Sequence, residues 1–117
     1  MTFNIKNLEL VSFLKEKEGS VPGEKMIARA SGYNALGTKE FADWLLKNQS
    51  KIPEKWRKYY LVFPDYLQDV DGYGRVAYFR WGGRRWGLDF SWLGNDFLRY
   101  DRFVRRSESL GFGKLGS

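Results

Sequence analysis

The residues best equipped for chemistry in this chain are eight arginines set among aromatic side chains in its second half. Arg75, Arg80, Arg84, Arg85, Arg99, Arg102, Arg105 and Arg106 all follow residue 74, where the only lysine is Lys114; before them stand nine lysines and two arginines. A guanidinium is a flat fork that grips phosphate or carboxylate through two parallel hydrogen bonds and stacks on aromatic rings, whereas an ammonium is a solvated point charge. The switch marks a surface made to hold an anion, or arginines chosen because they pack well beside rings. Net charge divides the same way. Residues 1–74 carry 11 Lys+Arg against 10 Asp+Glu, a net +1, and residues 75–117 carry 9 against 4, a net +5, of the +6 for the whole chain.

Other chemistries are thinly supplied. The chain has no histidine and no cysteine. The commonest general base, the commonest metal ligand, thiolate nucleophiles and disulfides are therefore excluded, and no enzymatic activity or cofactor is expected. Acidic side chains gather only at Asp65, Asp69 and Asp71. A calcium loop with Asp69, Asp71 and Gly72 at its third, fifth and sixth positions would place Leu67 and Tyr78 where its first and twelfth ligands belong, so that motif fails. Pro64-Asp65 could open a metal-dependent nuclease site, but the acid-x-lysine element is missing, since Asp89 is followed by Phe90 and Ser91. These three aspartates stay the only candidate metal ligands, and no metal is expected.

The elements that must position the arginines centre on a hairpin. Residues 75–81 and 84–92 alternate as strands around Gly82-Gly83, a pair free to adopt positive φ. A two-residue turn there sets Arg80 opposite Arg85 and Phe79 opposite Trp86. Ala77, Phe79, Trp86, Leu88, Phe90 and Trp92 then share a core face. The other face holds Tyr78 over Gly87, beside two facing arginines that call for an anion between them. Trp81 at the tip is an expected anchor for a partner.

The first half reads as helical. Leu10, Phe13 and Leu14 predict a helix over 8–18, Pro22 to Ala30 a second that Gly32 closes, and Thr38 caps a third through Phe41, Trp44 and Leu45. Ile52-Pro53-Glu54 starts a turn, and 59–63 is a strand interrupted by Pro64. Residues 69–74 form a tight connection. Residues 97–106 suit a helix or a strand equally.

Composition, 43% hydrophobic against 29% charged, predicts one globular domain over 1–106 with a loosely ordered tail at 107–117. The expected fold is α+β, amino-terminal helices packed on a carboxyl-terminal antiparallel sheet of three to four strands centred on the 75–92 hairpin. Residues 1–7 lack the features of a signal peptide, and no stretch nears the roughly 18 apolar residues of a membrane span, which points to a cytoplasmic protein without membrane contact. The expected partner is nucleic acid, bound through Arg75, Tyr78, Arg80, Arg84, Arg85, Arg99, Arg102 and Arg106, with Trp81 as partner anchor. An acidic protein docking on the same arginine and aromatic surface is the alternative.

Overall fold

The structure is a computed structural model, and it describes residues 3–107. Along the chain come β1 (Leu8–Val11), β2 (Ser20–Pro22), α1 (Gly23–Arg29), α2 (Lys39–Lys47), β3 (Tyr60–Val70), β4 (Tyr73–Trp81), β5 (Trp86–Trp92), β6 (Asp96–Leu98) and β7 (Asp101–Arg106), with short 3-10 turns between some of them. Five strands make one sheet in the order β1-β7-β3-β4-β5, while β2 and β6 pair separately. The class is α+β, but the sheet is mixed, because β7 runs parallel to β3. The cause is the 93–100 connection, which carries the chain back along the sheet, pairing β6 with β2 on the way. It therefore re-enters at the end where β3 begins.

Helix α2 forms as its sequence predicts. The Thr38 hydroxyl accepts from the Phe41 amide at 3.1 Å, and Phe41, Ala42 and Leu45 are buried on one side. They meet Phe63, Ala77, Phe79 and Trp86 from the sheet, with Phe63 and Phe79 edge to face at 4.8 Å. The opposite face of the same sheet is covered too. Val62, Val76 and Phe103 pack there with Phe13, Val21, Met26 and Phe97, under α1 and the β2–β6 pair. Each fully buried side chain of this kind contributes about 1.5–3 kcal/mol, so both faces hold the sheet together. Gly23 makes the second layer possible: its amide donates to the Leu93 carbonyl at 3.1 Å, an approach that leaves no room for a Cβ.

Several expectations are corrected. Residues 8–18 form β1 and a loop, because Leu8 and Leu10 alternate with Glu9 as well as they fit a helix. Pairing with β7 then decides, setting Glu9 opposite Arg105 with Nε to Oε2 at 2.8 Å. Helix α1 does end in a left-handed residue, but through a 3-10 turn at Asn34 (φ 56°) and not at Gly32. Residues 97–106, which suited a helix or a strand equally, hold the end of β6, a turn at 99–100 and β7. Pro64 does not stop β3: it sits in a bulge between Phe63 and Leu67 where no ladder amide is required, and the Asp65 amide donates to Gly37 at 3.0 Å instead. The 69–74 connection, by contrast, is tight as expected, a two-residue turn with Asp71 at φ 54° and Gly72 at φ 84°. The tail beyond residue 107 lies outside the described residues.

Candidate functional site

Four strand ends meet at one end of the sheet. Tyr60 pairs with Asp101, Leu61 with Phe79 and Trp81 with Trp86, so β3, β5 and β7 begin where β4 finishes. The segments arriving there, 53–59, 82–85 and 99–100, bring Arg57, Lys58, Arg84, Arg85 and Arg99, and the adjoining strand residues add Arg80 and Arg102. Carboxylates at this end are few and engaged. Glu54 pairs with Arg57 at 3.2 Å, and Asp101 turns inward to accept from the Leu98 amide at 2.8 Å. Burial pushes the Asp101 carboxyl above its ordinary range despite that bond. Among the described residues, the exposed side chains of Arg80, Arg84, Arg85 and Arg99 pair with no carboxylate.

Cations and rings alternate across this end. The Arg57 guanidinium lies 3.9 Å from the centre of the Trp81 ring, and Trp81 meets Trp86 edge to face at 5.9 Å. Arg102 lies 4.4 Å over Tyr59, its Nε donating to the Arg99 carbonyl at 3.0 Å, and Arg99 reaches the Tyr100 ring at 5.7 Å. Tyr60 and Tyr100 are exposed, and the Tyr60 amide donates to the Tyr100 carbonyl at 2.9 Å. Stacked guanidinium and phenol faces in this arrangement can take a planar group between them and an anion at their edges.

The hairpin register corrects the facing pair of arginines. Gly82–Arg85 is a four-residue loop closed by the Gly82 amide on the Arg85 carbonyl at 2.9 Å, and Arg80 lies opposite Gly87. A two-residue turn of the expected kind needs positive φ at both central positions, and only Gly83 (φ 99°) supplies it. The slip is two residues, so every side chain keeps its expected face while the Arg80–Arg85 contact disappears. Tyr78 is no platform over Gly87: it is half-buried on the second face, opposite Asp89 and edge to face with Tyr60 at 5.6 Å. Burial, then the Asp89 charge, pushes its phenol pKa up.

The other sequence-predicted residues divide. Arg80, Arg84, Arg85, Arg99 and Arg102 come to the arginine-bearing end, together with Trp81. Arg75 does not. It lies at the far end opposite Trp92, its guanidinium 5.2 Å from the Phe90 ring and 5.3 Å from the Trp92 ring, with Nη2 donating to Gln68 at 2.6 Å. Its Nε is buried without a partner among the described residues. Arg106 sits opposite Leu8 and 5.6 Å over Phe3, likewise away from that end.

Sequence reasoning missed a groove on the α2 side of the sheet. A cavity of about 480 Å³ opens between β1 and the 53–59 segment, floored by Leu8, Leu10 and Trp56 and rimmed by Lys6, Lys55, Lys58 and Arg102. Tyr59 lines it with Arg102 and with Lys58, whose Nζ is 5.3 Å from the ring. The signal was available in Lys55-Trp56-Arg57-Lys58-Tyr59-Tyr60, where cations interleave with rings, although this segment holds one arginine against the eight that follow residue 74. Among the described residues, no group of three or more acidic side chains is placed to hold a metal ion, and Asp69 instead accepts from the Gly72 amide at 2.8 Å to brace its turn. No helix among them is long and apolar enough to cross a membrane.

No protein-family model, no curated protein and no solved structure matches this chain.

Proposed function

We propose that this chain is a non-catalytic nucleic-acid-binding domain that presents the arginine-bearing end of its sheet to the phosphate backbone. The observation that carries this reading is the convergence of Arg80, Arg84, Arg85 and Arg99, exposed and, among the described residues, without a carboxylate partner, on cation–ring layers at Trp81 and Tyr59. Free guanidinium forks supply phosphate contacts, and exposed Tyr60 and Tyr100 supply faces on which bases stack. A cytoplasmic location belongs to the same proposal, since a chain free of cysteine suits a reducing compartment.

Fluorescence anisotropy with short single- and double-stranded DNA and RNA across a salt series tests it. Each phosphate contact contributes about 0.7–0.9 to the slope of log affinity against log salt. The triple replacement of Arg80, Arg84 and Arg85 by glutamine is expected to lower that slope by about 2–3. Absence of binding to every one of these probes at low salt overturns the proposal.

The far end of the sheet favours a second reading, a protein-binding module. Tyr73 (69% exposed) and Trp92 (44% exposed) lie edge to face at 6.3 Å beside Arg75, a grouping typical of interface hot spots. A pull-down that returns one partner and is lost in Trp92→Ala, together with no nucleic-acid binding, would promote this reading.

A further inference from the structure

The groove beside the arginine-bearing end bears on which form of nucleic acid fits, and the inference rests on the reading above. We infer that the groove seats one unpaired nucleotide, so that the protein takes single strands in preference to duplex.

Lys6, Lys55, Lys58 and Arg102 line the groove, and among the described residues none of them pairs with a carboxylate. The one carboxylate in its wall, Glu9, is already held by Arg105 at 2.8 Å. Below the cations the surface is apolar, formed by Leu8, Leu10 and Trp56, with the Tyr59 ring against Arg102.

Cations above an apolar floor suit a ligand that joins an anion to a flat, weakly polar body. A nucleotide with a free base is such a ligand: its phosphate meets the rim and its base leaves water for the floor and the Tyr59 ring. A volume of about 480 Å³ lies in the range of small-molecule sites. A duplex cannot use it, because its bases are paired and stacked inside and only its backbone could touch the rim. Inorganic phosphate would meet the rim and leave the floor wet. Arg102 belongs both to the groove and to the arginine-bearing end, where its Nε is tied to the Arg99 carbonyl, so a strand lying along that end can deliver one base to the groove without a break in phosphate contacts.

The test is anisotropy of a labelled single strand of about twelve nucleotides against a hairpin duplex of the same composition at one fixed salt, a length within the span of one such binding surface. The single strand is expected to bind about tenfold more tightly, a difference of the size one stacked base provides. Tyr59→Leu should remove most of that preference, weakening the single strand more than the duplex. Lys55→Gln with Lys58→Gln, two exposed positions that leave the fold intact, should likewise weaken the single strand more than the duplex. Equal affinity of the native protein for the two forms overturns the inference while leaving the nucleic-acid reading standing. Failure of both probes to bind overturns that reading and this inference with it.

Discussion

The β4–β5 ladder carries an arginine and aromatic cluster at each end, and the two are built differently. At the far end Arg75 is packed against Phe90 and Trp92 and donates through Nη2 to Gln68, so its guanidinium is held within the fold although its buried Nε has no acceptor among the described residues. At the near end Arg57 covers Trp81, and Arg84 and Arg85 are exposed in the loop with no carboxylate partner among the described residues. The two ends read alike in the sequence: cation, aromatic ring, glycine. What separates an arginine that braces a fold from one offered to a partner is whether rings and an acceptor inside the fold already hold its guanidinium.

The largest effect that could break this comparison lies at the tip. Trp86 is 2% exposed and belongs to the α2-side core, while Trp81 beside it is only partly buried, packed at the edge of that core under Arg57. Trp86→Ala should cost about 3–5 kcal/mol in urea unfolding, as other large core truncations do. Trp81→Ala should cost about 1 kcal/mol, chiefly its ring contacts and the cation–π pair. Equal losses would mean that the tip is core and has nothing to display.

Next come the arginines themselves. Arg75→Gln removes two ring contacts and leaves Gln68 without its donor, an expected loss of about 1–2 kcal/mol with no change in the salt slope of binding. Arg85→Gln should stay within about 0.5 kcal/mol of the native stability and lower that slope by about 1. Stability and binding therefore respond to opposite members of the pair. A lowered slope for Arg75→Gln would place that arginine among the binding residues after all.

Legibility followed the range of the interactions. Helix α2 was plain because its cap, face and end lie within about three turns of chain. The Asp71-Gly72 turn was plain for the same reason. Strand β1 was not, because Leu8 to Val11 satisfies two periodicities and only β7, some ninety residues later, decides between them. The candidate site was half legible. Arginines 80, 84, 85, 99 and 102 and Trp81 were marked by type, whereas the groove needs Lys6 and β1 brought against the 53–59 segment, a juxtaposition that topology alone creates. The hairpin shows the limit at the finest scale: face parity survived a two-residue slip, but the contact expected between Arg80 and Arg85 did not. Because Gly83, unlike Gly82, has positive φ, Gly83→Ala should cost about 1–2 kcal/mol. Gly82→Ala, with the nearest atom at 3.5 Å from an added Cβ, should be close to neutral. Equal costs would restore the two-residue turn.

The smallest expected effects come from two carboxylates that repeat the contrast between committed and withheld charge. Glu18 holds the 12–19 loop to α1: both its oxygens accept from Arg29, at 2.7 and 2.8 Å, and Arg29 also donates to the Phe13 carbonyl at 2.8 Å. The Arg29 bonds first, then the Lys15 amide, lower its pKa from 4.5 to about 2. Its folded value is below its unfolded one, so its stabilisation is complete above pH 4.5 and is lost as pH falls toward 2. Asp101 has the opposite sign. Burial raises its folded pKa above the ordinary 3.8, so its contribution favours the folded state at low pH and is lost as pH rises through the folded value. Urea midpoints measured from pH 7 down to pH 2 should separate them. Arg29→Gln should flatten the acid limb between pH 4.5 and 2, whereas Asp101→Asn, which keeps an oxygen for the Leu98 amide, should match or slightly exceed the native protein at pH 7 and lose that advantage in acid. A clear loss of stability in Asp101→Asn at pH 7 would mean that the ionised carboxylate is held by the surrounding arginines, and the arginine-bearing end would then be an internally balanced ion cluster with less charge to offer a phosphate.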